Sequence, residues 1–347
     1  MNAPDRLARL HTPQTDGLVL RLKTLTPLYT GGIGQLGDQI HPSNLLGGIR
    51  HLSCLVARTL GDAEFEKTVW GETGSAKQVA LRWDTSALAL VKALCDRDTI
   101  KIPKAGGGES KWYFNSAFEG ALGLQLSRRG ISEAHWQILT LALAIQLRHG
   151  SFGAKDQFGL GVLASADNRV LCPPLDTTRE WPKAIPAEIG QLNLLRYAFG
   201  RVRFRAAAGH RPTLNRSTAL TLALATRASL RNALRAKADA PEAEKTRLTR
   251  LRHRMLGKLN ESGSAVNVSA AYVAGESIEL RLSVALKPSE AAERTEVMRA
   301  FAAPAVISSI DTLIDATGYR VDDKIVWEFG GKHVNDRAHW LNQLAGV

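Results

Sequence analysis

The segment from His149 to Gly161, HGSFGAKDQFGLG, combines residue types that can hold a phosphate chain. Its four glycines allow the backbone to approach a ligand closely. Lys155 carries a positive charge, and Phe158 has a ring that can stack on a nucleic-acid base. The alternative is a tight helix-to-strand turn with Phe158 in the core. No G-x-x-x-x-G-K-[ST] string occurs in the chain, which argues against a Walker-type nucleotide loop.

A second segment with chemical potential is the loop from Gly31 to Ser43 and the helix predicted after it, with Ser43 as N-cap. Arg50, His51 and Arg58 are polar positions on this otherwise apolar helix. His51 and Arg58 are seven residues apart and therefore lie on one stripe. A helix N-terminus also offers unpaired N–H groups to a phosphate. The alternative is an ordinary solvated helix face.

Positive charge is concentrated in one part of the chain. The whole sequence has a net charge of +12, whereas Arg196–Lys258 alone holds 16 Lys or Arg against three acids, a net charge of +13. Such a field attracts polyanions, of which nucleic acid is the commonest inside cells. The alternatives are a solubilising surface and helices that dock on an acidic protein. The leading candidates for polyanion contact are the arginines of two predicted helices: Arg227, Arg231, Arg235, Arg252 and Arg254.

Several classes of protein are disfavoured by the composition. The three cysteines are widely spaced and form no C-x-x-C pair, which argues against a disulfide framework and a zinc site. We therefore expect neither a metal nor a cofactor. No apolar run approaches the ~20 residues of a membrane span, and the first residues lack the apolar core of a signal peptide. We expect a cytoplasmic protein.

The elements predicted along the chain follow one pattern twice. Alternation predicts a strand at 18–25, a helix ends at Gly61, strands follow at 77–83 and 118–126, Ser132 caps a long helix, and a last strand lies near 160–164. This is βαββαβ, and a looser copy follows. The predicted fold is α+β with two tandem ferredoxin-like (RRM-like) domains. Their expected bounds are 1–170 and 191–347, joined by a proline-rich linker at 171–190.

A short internal repeat supports this duplication. Gly71–Val79 and Gly257–Val268 both read G…GSA-x-x-V, and each follows an arginine-bearing helix and enters a predicted strand. The match is therefore one of position as well as of letters. Chance similarity of so short a string is the alternative.

Three strings occur in the order known from one family. Thr26-Pro27-Leu28-Tyr29-Thr30-Gly31 ends the first strand, Ser43-Asn44-Leu45-Leu46-Gly47-Gly48-Ile49-Arg50 opens the helix, and the glycine segment precedes the last strand. In this the chain resembles the RAMP proteins of CRISPR systems, from about residue 18 to residue 285. Trp70–Ala76 further resembles the FG-x-T segment of the first-numbered RAMP subunit of type III-B Cmr complexes.

The resemblance implies two fused ferredoxin-like domains that hold RNA in a CRISPR effector without cutting it. The expected partners are the 3′ region of the guide RNA (crRNA), its paired single-stranded target RNA and the other effector subunits. Residues carried over by position as RNA contacts are Arg50, Lys155, Gln157 and Phe158. The arginines of the basic helices come from charge alone.

Three alternative functions remain open from the sequence. Backbone RAMP subunits cut target RNA with an aspartate in the loop after the first strand, and Asp38 occupies that loop. A carboxylate there is suited to taking a proton or organising a metal. A structural adaptor would use its basic segment to dock on a neighbouring protein. A nuclease that processes guide precursors is less favoured, because no cluster of His, Tyr and Lys is visible.

Overall fold

The structure of this chain is a computed structural model. It describes residues 17–31, 38–72, 76–92, 101–103, 109–111, 116–153, 159–167, 172–178, 193–257, 264–286, 291–329 and 336–347. The architecture is mixed α+β, with two main antiparallel sheets and helices packed against them.

The first sheet is built by the N-terminal half of the chain. Strand β1 (Gly17–Thr24) lies beside β6 (Ser116–Arg128) over seven residue pairs, and β7 (Leu163–Ser165) flanks its other side. The other elements of this half are α1 Pro42–Thr59, β2 Val79–Asp84, β3 Leu88–Lys92, β4 Lys101–Pro103, β5 Glu109–Lys111 and α2 Glu133–His149. The strand order is β2-β6-β1-β7, with β3 also paired to β6. Helices α1 and α2 cover the face that carries the alternating leucines of β1.

The second sheet has a similar arrangement. Its central strands are β8 (Tyr197–Ala206) and β11 (Ser277–Ala285), and its order is β10-β11-β8-β12, with β9 on β11 and β13 on β8. The hairpin β10–β11 turns at Gly275–Glu276. The remaining bounds are α3 Arg216–Ala233, α4 Glu242–Leu256, β9 Val266–Val268, β10 Tyr272–Ala274, α5 Ala291–Phe301, α6 Pro304–Ile314, β12 Tyr319–Val321, β13 Val326–Phe329 and α7 Arg337–Ala345.

The two predicted helix caps have different outcomes. The prediction for α2 is confirmed, because the Ser132 hydroxyl accepts a hydrogen bond from the backbone N–H of His135 at 3.2 Å. The prediction for α1 is wrong. That helix begins two residues earlier than predicted, with His41 as N-cap and Pro42 in its first turn. Proline is suited to this position because its ring fixes φ and its missing N–H would have no partner there.

Helix α2 is buried on almost all sides, which explains its nearly continuous apolar sequence. It lies between α1, the first sheet and the C-terminal helix α7. Leu341 and Leu344 of α7 are fully buried in the same core as Leu143. The side chain of Asn342 is bonded to both backbone groups of Leu175, at 2.8 and 3.0 Å. The end of the chain therefore closes the core built by its first half.

The internal repeat has a structural counterpart. Gly71 and Gly257 each follow a helix, and their φ/ψ angles are almost identical, at 77°/161° and 74°/160°. The chain then returns in the same way, since Gln78 N–H donates to Val69 O at 3.1 Å and Ala265 N–H donates to Met255 O at 2.8 Å. In both copies the acceptor lies two residues before the glycine. The backbone geometry therefore repeats, but the string GSA does not occupy the same place in it. In the first copy the donor Gln78 lies two residues after Ala76, whereas in the second copy the donor is Ala265 itself.

Some local predictions differ from the structure. Strand β8 is continuous through Gly200, over which the ring of Trp327 packs. Strands β3, β4 and β5 were not predicted. Within the described ranges, no group of three or more His, Cys, Asp or Glu side chains is placed to hold a metal. No single described helix is long and apolar enough to cross a membrane, although the bent pair 293–301 and 304–317 together meets the length and composition criteria.

Candidate RNA-binding surface

The glycine segment is closed at its base by backbone hydrogen bonds. Phe152 N–H donates to Gly161 O, and Gly161 N–H donates to Pro27 O, both at 2.8 Å. The segment therefore joins the Thr26-Pro27-Leu28 string directly. Its central residues 154–158, which include the predicted contacts Lys155, Gln157 and Phe158, lie outside the described residues.

The second half of the chain holds both ends of the same segment. Ala270 N–H donates to Gly159 O at 2.9 Å, and the Arg281 guanidinium donates to Gly150 O at 3.2 Å. Phe152 packs in the first core, whereas Leu160 packs in the second. The glycine segment thus lies at the junction of the two halves, and its position is fixed by both.

The predicted stripe on α1 is engaged within the protein. Arg50 and Arg58 both donate to the carboxylate of Glu66, each at 2.9 Å. His51 lies 3.4 Å from the Tyr197 hydroxyl, and burial, followed by the charge of Arg58, lowers the pKa of its imidazole. One acid therefore neutralises much of the charge that the sequence assigns to this stripe.

Four of the five predicted arginines lie close together between α3 and α4. Burial and then the charge of Arg231 lower the pKa of Arg227 to about 10. Burial and then Arg235 lower the pKa of Arg231, and burial followed by Arg231 and Arg235 lowers that of Arg252. We call Arg227, Arg231, Arg235 and Arg252 the arginine cluster.

Three members of the arginine cluster have no acidic partner among the described residues. No ion pair within the described part of the chain joins Arg231, Arg235 or Arg252 to a carboxylate, and the buried Nε of Arg252 has no hydrogen-bond partner there. Arg227 donates to the carbonyl of Leu256 at 3.3 Å. Neighbouring positive charges of this kind are destabilising in isolation and favour an anion as ligand.

Arg254, the fifth predicted arginine, is separated from the other four. It projects from α4 toward α5 and forms an ion pair with Glu293. Arg247 on the same side binds Glu296 through two hydrogen bonds, at 2.7 and 2.8 Å. On one side of α4, Arg247 and Arg254 are therefore neutralised by acids, whereas Arg252 on another side belongs to the arginine cluster.

Asp38, the alternative catalytic residue, is exposed at the end of the loop after β1. The neighbouring backbone is anchored by Thr30, whose hydroxyl donates to Gln39 O at 3.0 Å and accepts from His41 N–H at 2.9 Å. These contacts set the loop against the start of α1. They bring no general acid or base to Asp38.

Sequence reasoning missed the arginines of the second sheet. Arg203 and Arg201 lie on one face of β8 beside the buried carboxylate of Glu279, with N–O distances of 2.8 and 4.0 Å. The guanidinium of Arg281 donates to the Tyr272 hydroxyl at 2.9 Å and lies over its ring. The alternation of Arg201, Arg203 and Arg205 with apolar residues was the available signal, because it assigns all three to one face.

The structure is an α+β fold whose second half carries a cluster of arginines. No protein-family model and no curated protein matches this chain significantly. Among solved structures, Cmr1 from Pyrococcus furiosus (apo form) is similar over 90% of this chain and 98% of its own, with 15% identity and a TM-score of 0.46.

Two further similar chains come from type III-B Cmr-beta structures. One is bound to cognate target RNA and is similar over 85% of this chain and 100% of its own, with 11% identity and a TM-score of 0.49. The other is bound to cognate target RNA and AMPPnP in the presence of ssDNA, with 86% and 100% coverage, 11% identity and a TM-score of 0.48. At such identities these structures compare backbone paths and assign no residue roles.

Proposed function

We propose that this chain is an RNA-binding subunit of a Cmr-like type III CRISPR effector and acts in the cytoplasm. It contacts the 3′ region of the guide RNA, its target RNA, or both, and holds RNA without cutting it. In this proposal both halves are ferredoxin-like units. Arg231, Arg235 and Arg252 of the arginine cluster support RNA binding most directly, because they form no ion pair among the described residues and cations without acidic partners gain most from phosphate groups.

Neutralising two arginines of the cluster tests this function. We expect Arg231→Gln/Arg235→Gln to bind single-stranded RNA roughly 25-fold more weakly at 0.1 M salt, because each neutralised phosphate contributes about 0.7 to the slope of log K against log salt. The slope itself should fall by about 1.4. Fluorescence anisotropy of a labelled RNA across a salt series measures both quantities.

A matched control comes from the opposite side of α4. Arg247→Gln/Arg254→Gln removes the same two charges from arginines that already bind Glu296 and Glu293. We expect less than a threefold change in affinity, since exposed charges farther away than about 10 Å are largely screened at 0.1 M salt. Equal losses in the two double variants would show that only net charge matters and would exclude a specific role for the cluster.

The stripe on α1 gives an independent prediction. Glu66→Gln removes the acid that binds Arg50 and Arg58, so both arginines become available to RNA. We expect affinity to rise about fivefold at 0.1 M salt, the contribution of one additional phosphate. Glu133→Gln, which removes the partner of Arg128, is the control. If the two variants raise affinity equally in the anisotropy assay, the stripe is not part of the RNA path.

A further inference from the structure

A cleft of about 340 Å³ lies where the two halves of the chain meet. Its lining is mainly apolar and combines Pro27 and Leu160 from the first half with Leu214, Leu220 and Val273 from the second. Pro27 belongs to the string that ends β1, and Leu160 directly follows the glycine whose carbonyl binds Ala270. The cleft is therefore formed by the same segments that position the glycine loop.

The rim of the cleft is polar, because the exposed side chains of Lys23 and Arg216 are among its lining residues. The only acid among its lining residues in the described structure is Glu119, and Arg216 binds that carboxylate through two hydrogen bonds, at 3.0 and 2.8 Å. Lys23 is exposed. The cleft therefore combines an apolar lining with a rim that carries one net positive charge, from Lys23, because Arg216 and Glu119 neutralise each other.

The rim continues onto the open face of the first sheet. Strand register places Lys23 opposite Ala121, Arg21 opposite Gly123 and Arg82 opposite Gln125, so these residues share the face turned away from the helices. All three cations are exposed, and the residues between them are small or polar. Asp84 is the acid on this face. A strand carrying phosphates can therefore reach the mouth of the cleft along a basic surface.

We infer that the cleft binds one base of an RNA strand whose phosphates lie along the cationic rim. The inference rests on the proposed RNA-binding function. Single-stranded RNA is recognised by bases that are splayed out of the strand into such sites, and 340 Å³ lies at the small end of ligand pockets. An apolar side chain from a partner protein also fits by size, but the cations at the rim favour a polyanion.

Filling the cleft tests the inference. Val273 lines the cleft and is 60% exposed, so Val273→Trp places an indole in the site with little disturbance of the core. We expect RNA affinity to fall about tenfold, within the range measured for the loss of one stacked base. The slope of log K against log salt should not change, because no phosphate contact is removed. Leu313→Trp, at an exposed leucine of α6, is the matched control.

Crosslinking of the wild-type protein provides a test that needs no variant. RNA containing 4-thiouridine, irradiated in the complex, should crosslink to peptides that contain Leu214–Leu220 or Ala270–Val273. Absence of crosslinks there, together with unchanged affinity of Val273→Trp, would overturn the inference. Equal crosslinking by free 4-thiouridine monophosphate would also overturn it and would assign the cleft to a free nucleotide.

The outcomes separate this inference from the proposed function. If wild-type protein binds no RNA, the proposed function fails, whatever Val273→Trp does. If wild-type protein binds RNA and the arginine-cluster variant does not, but Val273→Trp binds normally, only the cleft assignment fails. If Val273→Trp binds RNA normally and no longer joins the effector subunits, the cleft takes a protein and the inference is wrong.

Discussion

Replacing Gly161 by alanine is expected to lower the free energy of unfolding by roughly 3 kcal/mol or more. Gly161 has φ +84°, and an added Cβ would lie 1.9 Å from the carbonyl oxygen of Phe152. That oxygen belongs to the base of the glycine segment, where Gly161 also donates to Pro27. The backbone must shift to admit the methyl group, and the shift breaks contacts with both neighbours. Urea denaturation followed by circular dichroism measures the change.

Gly130 provides a control with the same backbone angle. Its φ is also +84°, but among the described residues no heavy atom beyond its two chain neighbours lies within 4 Å of the position that a Cβ would take. Gly130→Ala should therefore cost only about 1 kcal/mol, the penalty of a left-handed conformation for alanine. Similar losses in the two variants would mean that steric contact with Phe152 is unimportant and that the segment adjusts freely.

The second large effect concerns the response of stability to pH. His149 is buried, its Nε2 lies 2.9 Å from Leu344 O, and its ring packs on Phe199. Burial lowers the pKa of His149 to about 3, and the neighbouring Arg201, Arg148 and Arg281 act in the same direction. Because the imidazole is neutral, its 3.6 Å approach to Glu328 is a polar contact and not an ion pair.

Acid should therefore destabilise the protein through His149. In the unfolded chain the imidazole takes up a proton below about pH 6.5, whereas in the folded chain it stays neutral down to about pH 3. The unfolded state binds more protons in this window, so stability falls as the pH falls. Two pH units below 6.5, the loss from this residue is about 2.7 kcal/mol relative to neutral pH.

Comparison with a variant isolates this contribution. His149→Gln removes the titrating group, so its free energy of unfolding should fall less than that of the wild type between pH 7 and pH 4.5. His339→Gln, at an exposed histidine of α7, controls for loss of a histidine from the chain. Urea titrations at each pH supply the values. Parallel pH curves for wild type and His149→Gln would contradict a buried neutral imidazole.

Local elements were predictable where a single stretch of sequence determines them. The alternation in β1 and the hydroxyl at Ser132 depend on neighbours within a few residues, and both are found as expected. The start of α1 was misjudged because Ser43 and Pro42 are both typical of a helix N-terminus, and the proline took the first turn. The repeated string predicted that the chain segments after Gly71 and Gly257 are similar, but aligning the two strings places the equivalent hydrogen-bond donors two residues apart.

The sequence alone was enough to predict the main strands and helices of the first half, the concentration of positive charge and the glycine segment between α2 and β7. These follow from periodicity, composition and backbone chemistry, which act over short distances along the chain. Only the tertiary structure decided which charges remain available. Glu66 binds both Arg50 and Arg58, and Glu293 binds Arg254. Helix α3 and the turn that follows it bring Arg231 and Arg235 near Arg252. Ion pairing depends on distance in space, and packing of the helices sets that distance.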